Sequence, residues 1–124
     1  MAKDCSQRGV IGGDEVAAIM EISVMPMGKD EASLGDVVVE VLKVAEREGL
    51  NYEVNPMGTT LEGDVDMLLR VAREMHEVCF SMGYPRAQTV IHIDERRDKE
   101  LTMKYKVESV KAKLAERALH IREN

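Results

Sequence analysis

The sequence predicts an α+β domain with elements in the order β-α-β-β-α-β and one more helix after the last strand. Short segments that alternate apolar and polar residues are separated by longer segments whose apolar residues recur at helical spacing. The tripeptide Pro-Met-Gly occurs at residues 26–28 and again at 56–58, each time after a short apolar run. An amphipathic segment of about four turns lies between the two copies. This arrangement predicts a strand, a helix and a second strand, with the same turn after both strands.

The first half of the chain supplies the first three elements. We predict a strand over residues 16–25, ended by Pro26, which has no N–H to donate to a ladder. Ser33 is a plausible N-cap for the helix that follows, and Gly49 is its stop signal. Residues 50–55 alternate again and predict the second strand. The apolar stripe of the helix comprises Leu34, Val37, Val38, Val41, Leu42 and Ala45.

The second half repeats this alternation of strand and helix. Residues 59–62 are short and β-prone, which predicts a tight hairpin into a third strand. A second helix should begin at Gly63 or Asp64 and end at Gly83, and residues 87–94 predict the fourth strand. The terminal helix places Met103, Val107, Val110, Leu114, Ala118 and Ile121 on one side. This order is that of the ferredoxin-like fold.

Length and composition fit one globular domain. The 124 residues are 44% hydrophobic and contain no low-complexity tract. We expect residues 16–124 to form this domain and the glycine-containing residues 1–15 to be a flexible or loosely docked leader. Since there is one Phe and no Trp, aliphatic residues and nine Met must fill the core.

Charge and motif content exclude several classes of function. A net charge of −6 opposes nucleic-acid binding, which needs a basic face. No signal segment or membrane-length apolar run is present, so we expect a cytoplasmic protein without a membrane partner. Cys5 and Cys79 lack a C-x-x-C spacing, and the three His share no metal-ligand spacing. We therefore predict no metal, no cofactor and no catalytic residue.

One face of the predicted sheet has no cover. Two helices can cover only one side of a four-stranded antiparallel sheet, and the other side mixes apolar and polar residues. We expect this face, or the sheet edges, to pair with another copy in a dimer or tetramer. The terminal helix could reach across that interface.

Six blocks of the sequence form a specific pattern. They are Ile22-Ser23-Val24-x-Pro26-x-Gly28, Ser33, Gly49-Leu50-x-Tyr52, Pro56-Met57-Gly58-Thr59-Thr60-Leu61-Glu62-Gly63, Ile91-His92-Ile93-Asp94-x-Arg96 and Lys106-Val107-x-Ser109-Val110. Through these blocks, residues 18–113 resemble members of the thiamine-binding protein family. The members of this family are small ferredoxin-like proteins. Where family members commonly carry a second Ser and then an aromatic residue, this chain has Gly35 and then Asp36 or Val37.

The resemblance implies a dimeric or tetrameric protein that binds thiamine or its hydroxymethylpyrimidine moiety, with no established catalytic step. Such a protein would act as a carrier, buffer or sensor. One alternative is an oligomeric regulatory or interaction module. A less favoured one is an enzyme acting on a thiamine-pathway intermediate with Glu62 as general base, because no second positioned acid or base is recognisable.

The candidate site follows from the chemistry of an aminopyrimidine, which has an amine donor, ring-nitrogen acceptors and a flat apolar surface. Glu62 could accept from the amine, and a hydrogen bond to a charged group contributes roughly 1.5–3 kcal/mol. Hydroxyls, backbone groups and thioethers would supply the remaining contacts. The predicted ligand-binding residues are Met27, Gly28, Ser33, Tyr52, Asn55, Met57, Gly58, Thr59, Thr60 and Glu62.

This site requires the two Pro-Met-Gly turns to share a cleft, as they would if the preceding strands were parallel neighbours joined by a right-handed crossover. Several of the predicted ligand-binding residues could have a structural role instead. Ser33 could be only a helix cap, Glu62 could neutralise the start of the second helix, and Asn55 could close the hairpin turn. Asp94 and Arg96 are expected to form an ion pair at the end of the fourth strand.

Overall fold

A computed structural model describes residues 18–29, 34–99 and 101–123 of the protein. The predicted leader and Ser33 lie outside the described residues. The elements are β1 (Ala18–Met27), α1 (Leu34–Arg47), β2 (Asn51–Asn55), β3 (Gly58–Gly63), α2 (Val65–Ser81), β4 (Arg86–Glu95) and α3 (Met103–Glu123). This order confirms the predicted α+β, ferredoxin-like βαββαβ plan with an additional C-terminal helix.

The strands form one antiparallel sheet in the order β2-β3-β1-β4. Strand β1 pairs with β3 on one side and with β4 on the other, and β2 pairs with β3 in a hairpin. Strands β1 and β2 therefore run parallel, but β3 lies between them. The two strands that precede the Pro-Met-Gly turns are not neighbours.

The main core lies between the sheet and helices α1 and α2. Alternate residues of β1, among them Met20 and Ile22, are buried on this face, as the sequence pattern predicts. The helices contribute apolar stripes at helical spacing that meet these side chains. The largest fully buried side chains are Met20, Ile22, Leu61, Leu68, Met75, Val37, Val71 and Cys79.

Strand β1 continues through Pro26 to Met27, so the prediction that it ends before Pro26 is wrong. Its pairing with β3 ends at the Ile22–Thr59 pair, while its pairing with β4 goes on and places Pro26 opposite Ala87. A strand with a neighbour on one side only tolerates a residue without an N–H. The strand survives because Pro26 lies where the sheet is no longer paired on both sides.

The opposite face of the sheet is partly covered by the start of α3. Ile19 packs there with Leu101 and Met103 in a second, smaller buried cluster. Met25 and Val90, on the same face, remain exposed. This face was predicted to be open, and α3 covers only one end of it because the helix runs on with its later side chains exposed.

Helix ends follow the predicted signals. Asp64 is the N-cap of α2, and its Oδ1 accepts a hydrogen bond from the Met67 N–H at 3.0 Å. Gly49 and Gly83 follow the ends of α1 and α2 with φ of 71° and 94°, a conformation that favours glycine.

Among helices of the described residues, none has the length and apolar composition needed to cross a bilayer.

Replacing the α2 cap tests its contribution to stability. Asp64→Ala leaves the Met67 N–H without its side-chain acceptor, so we expect the free energy of unfolding to fall by about 1 kcal/mol. Asp64→Asn keeps an acceptor oxygen and should lose much less. Urea denaturation of both variants measures the difference, and equal losses would contradict the capping role.

Candidate ligand-binding site

A cavity of about 210 Å³ opens between the β2–β3 hairpin, β1 and the first half of α1. It is lined by residues 22–25 of β1 and residues 54–59 of the hairpin. Helix α1 contributes Leu34, Val37, Val38 and Val41. These α1 residues were assigned only to the helix's core stripe from sequence. That stripe extends past the end of the hairpin, which is why part of it faces this cavity.

The cavity has apolar walls and no charged residue among the described residues that line it. Val54 and Met57 are exposed at its rim, and the buried Thr59 supplies a hydroxyl. Because β1 is no longer paired with β3 beyond Ile22, the edge of residues 23–25 that faces the hairpin has no partner among the described strands. Such an edge presents backbone donors and acceptors at regular spacing. The cavity therefore suits a small, flat, uncharged group with a few hydrogen-bonding atoms.

The hairpin is held close to β1 at Gly58. A Cβ at this position would lie 2.7 Å from the Ile22 carbonyl oxygen, so only glycine fits without a shift of the backbone. Within the hairpin, Asn55 Nδ2 donates to Thr60 Oγ1 at 2.7 Å. The glycine of the second Pro-Met-Gly copy thus serves the packing of the turn against β1, and the Asn55 amide bridges the two strands of the hairpin.

The first Pro-Met-Gly copy packs elsewhere. Gly28 has φ of 94°, and a Cβ there would lie 2.5 Å from Pro85 Cγ in the connection between α2 and β4. Lys29 Nζ donates to the Met82 carbonyl at 2.9 Å and lies 4.7 Å from the centroid of the Tyr84 ring. Both copies are at the same end of the sheet, but β1 runs roughly 16 Å beyond Ile22 before it reaches Met27. The cavity is built from the residues that precede the first copy and from the second copy itself.

Glu62 holds the start of α3. Its Oε2 accepts from the Met103 N–H at 2.7 Å, and its Oε1 accepts from Asn51 Nδ2 at 2.9 Å. Glu62 pairs with Ile19 in the sheet, so its side chain lies on the face that α3 partly covers. From sequence, Glu62 could have neutralised the start of the second helix. Glu62 does accept a hydrogen bond at the start of a helix, but that helix is α3. The N-cap of α2 is Asp64. Nothing in the sequence signals a contact between residues 41 positions apart.

Tyr52 reaches α1. Its hydroxyl donates to Glu46 Oε2 at 2.7 Å, and this hydrogen bond raises the pKa of Tyr52, with burial and the charge of Glu46 as smaller causes. The ring therefore ties β2 to the helix. Like Met27, Gly28, Thr60 and Glu62, Tyr52 lies outside the cavity lining. The predicted residues that do line the cavity are Asn55, Met57, Gly58 and Thr59.

Groups that could bind a metal ion or react as nucleophiles do not gather at the cavity. Within the described part of the chain, no cluster of three or more His, Cys, Asp or Glu side chains could hold a metal ion. Cys79 is buried in the core, and this burial raises the pKa of its thiol. A raised pKa keeps the thiol protonated and unreactive.

The fold and the cavity define a small ferredoxin-like protein with an uncharged ligand-sized pocket at one end of its sheet. The family model described as thiamine-binding protein matches residues 20–111. The chain therefore belongs to the thiamine-binding protein family.

Relatives cover most of the domain. The protein YqgV of Bacillus subtilis is 38% identical over 97 residues, which are 75% of this chain and 93% of that protein. The solved structure of hypothetical protein MJ1052 from Methanocaldococcus jannaschii has 35% identity and a TM-score of 0.69, covering 75% of this chain and 94% of its own. A domain of unknown function from Bacillus cereus has 33% identity and a TM-score of 0.68, covering 76% of this chain and 89% of its own.

Replacing Gly58 tests the close approach of the hairpin to β1. Gly58→Ala should lower the free energy of unfolding by about 1–3 kcal/mol, because the added Cβ meets a backbone oxygen. Gly63→Ala is the matched control, since its Cβ would meet only the Leu50 and Leu68 side chains, at 3.3 Å and beyond. Urea denaturation compares the two, and a larger loss for Gly63→Ala would contradict this account of the turn.

Proposed function

We propose that this protein binds thiamine or its hydroxymethylpyrimidine moiety, without catalysis, in the cavity between the hairpin, β1 and α1. The observation that carries the proposal is an uncharged, apolar-walled cavity formed by residues within the part of the chain that the family model matches. Binding without turnover would make the protein a carrier, buffer or sensor of the ligand.

The cavity offers complementary contacts to an aminopyrimidine. Val38, Val54 and Met57 can enclose the flat ring, since apolar side chains and a thioether pack well against an aromatic surface. The Thr59 hydroxyl and the backbone groups of residues 23–25 supply donors and acceptors for the ring nitrogens and the amine. The thiazolium part of thiamine, which is cationic, would extend toward the rim, and the net charge of −6 attracts it.

A non-catalytic role is supported by the composition of the lining. Among the described residues that line the cavity, none has a titratable side chain. General acid–base catalysis needs such a group within hydrogen-bonding distance of the reacting atoms. Both carboxylate oxygens of Glu62, the general base of the enzymatic alternative, accept hydrogen bonds from Asn51 and Met103.

Ligand binding can be tested with two neighbouring valines. Val38 lines the cavity, whereas Val39 is exposed on α1 outside the lining. A larger side chain fills the volume that the ring would occupy, so Val38→Trp should weaken binding of thiamine and of hydroxymethylpyrimidine by about tenfold or more. Val39→Trp should change affinity by less than about twofold. Isothermal titration calorimetry measures both variants.

The same titration separates the two roles considered for Glu62. If Glu62 only holds α3, then Glu62→Ala should leave the affinity of the cavity nearly unchanged. A loss as large as that of Val38→Trp would instead support the carboxylate as a ligand contact. No heat from the unmodified protein with either compound up to millimolar concentration would refute the proposed function.

Self-association is the second part of the proposal. Along α3 the apolar side chains of Val107 and Leu114 are exposed, Leu114 by 62%, and β4 is an edge strand with Val90 exposed. Exposed apolar side chains on a helix and an unpaired sheet edge both favour pairing with a second copy, in a dimer or tetramer. The same exposed side chains would serve a protein partner if the oligomer acts as a regulatory module.

Sedimentation velocity tests this association. We expect a species of at least twice the 13.9 kDa chain mass at micromolar concentration. The double variant Val107→Lys and Leu114→Lys should shift the protein toward the monomer, because lysine cannot be buried cheaply at an apolar contact. Glu116→Lys, exposed on the other side of α3, is the control and should leave the distribution unchanged. A purely monomeric unmodified protein would contradict the proposal.

A further inference from the structure

Two sequence blocks that carry the family resemblance take no part in the cavity. These are residues 91–96 and 106–110. In the structure they come together, because the end of β4 and the first turns of α3 form the two walls of a second cleft of about 520 Å³. Asp94 and Arg96 line one wall, and Lys106 and Ser109 line the other.

The charged side chains of this cleft are paired differently from the sequence expectation. Asp94 does not pair with Arg96, because Lys106 Nζ donates to Asp94 Oδ2 at 2.7 Å across the cleft. Arg96 instead donates to Asp98 through Nε at 2.6 Å and Nη2 at 3.1 Å. The carboxylate of Asp94 thus links β4 to α3, while Arg96 is held by its own loop.

Both ion pairs are open to solvent. The side chains of Lys106 and Asp94 are 49% and 55% exposed, and those of Arg96 and Asp98 are 42% and 66% exposed. Exposed ion pairs contribute little to stability, since water and salt screen them. A ligand that offers a better partner to either cation can therefore displace the carboxylate at little cost.

The remaining lining gives the cleft an apolar and aromatic part. Leu101 is 4% exposed and forms a buried floor, and the half-exposed Tyr105 presents an aromatic side chain. Ser109 follows Lys106 by three residues on α3, so its hydroxyl and the ammonium group lie on the same side of the helix. The N–H groups of Met103 and Tyr105 are already engaged by Glu62 and Thr102. Side chains, rather than the helix terminus, must supply the donors.

We propose that this cleft is a second binding site, which takes a phosphate monoester of a small cationic or amine-bearing heterocycle. Arg96 can bind a phosphate in a bidentate manner, with Lys106 and Ser109 as further donors. Asp94 then faces the cationic ring, and Tyr105 packs against it. The site does not depend on the cavity between the hairpin and α1, and its charges select for a ligand that carries both signs.

Charge balance sets the expected order of affinities. The two ion pairs set Asp94 and Asp98 against Arg96 and Lys106, so neither sign is in excess. Inorganic phosphate would be repelled by the two carboxylates, and an unphosphorylated cation would make no contact with the two basic groups. A ligand with both groups should bind at least about tenfold more tightly than either.

The test uses thiamine monophosphate as the probe and the full chain carrying Val38→Trp, which disables the cavity by filling it. Titration calorimetry should show binding of thiamine monophosphate that is at least about tenfold tighter than binding of thiamine or of inorganic phosphate. Affinity should fall as salt is raised, because the contacts are exposed and ionic. Circular dichroism of each protein verifies that it is folded.

Neighbouring basic residues provide matched controls. Arg96→Gln and Lys106→Gln should each weaken binding of thiamine monophosphate by about tenfold. Lys104→Gln and Lys111→Gln alter exposed basic residues outside the lining and should change affinity by less than about twofold.

Three results would overturn the second site. The first is that thiamine monophosphate does not bind up to millimolar concentration. The second is that the control variants lose as much affinity as the variants of Arg96 and Lys106. The third is that inorganic phosphate binds as tightly as the monoester. Because the titration is done with the cavity disabled, its failure leaves the proposed function untouched. The calorimetry of thiamine with Val38→Trp and Val39→Trp tests that function separately.

Discussion

The offset between the two pairings of β1 determines the shape of the candidate site. On one side the pairing of β1 with β3 ends at Ile22, and on the other side the pairing of β1 with β4 continues to Met27. The exposed edge that results is bounded by the hairpin turn and by α1, and the space between them is the cavity. Gly58 sets how closely the turn approaches β1, so the dimensions of the cavity depend on a backbone contact that no side chain could replace.

The position of α3 depends on a second contact, made at the other end of β3. Glu62 accepts the Met103 N–H, and Ile19 packs with Leu101 and Met103 beside it. These contacts fix where the helix begins and therefore which residues of its first turns face the end of β4. Past its first turn, α3 leaves apolar side chains exposed, because only its start is anchored to the sheet.

The cavity and the cleft differ in physical character. The cavity is uncharged and mainly apolar, a character that suits selection by shape and by a few hydrogen bonds. The cleft is lined by charged side chains of both signs, a character that suits selection by the arrangement of charge on a ligand. A domain with both could distinguish a free heterocycle from its phosphate ester through two separate sites.

Local patterns in the sequence were sufficient to predict the elements and their order. The alternation of Met20 and Ile22 identified the buried face of β1, and Gly49 and Gly83 identified the ends of two helices, because strand periodicity and left-handed backbone conformations are properties of short segments. The order of the elements then led to the ferredoxin-like sheet, since few topologies satisfy the connection rules. Asn55, Met57, Gly58 and Thr59 were found as neighbours because they are adjacent along the chain.

Contacts between distant segments were decided only by the tertiary structure. Strand β1 keeps Pro26 because β3 has already ended, Glu62 meets the start of α3 from 41 positions away, and Lys106 takes the place expected for Arg96 beside Asp94. Each of these depends on the relative placement of elements, which packing and pairing register set together. A sequence pattern reports the face on which a side chain lies, but the identity of the group opposite that face depends on the whole chain having folded.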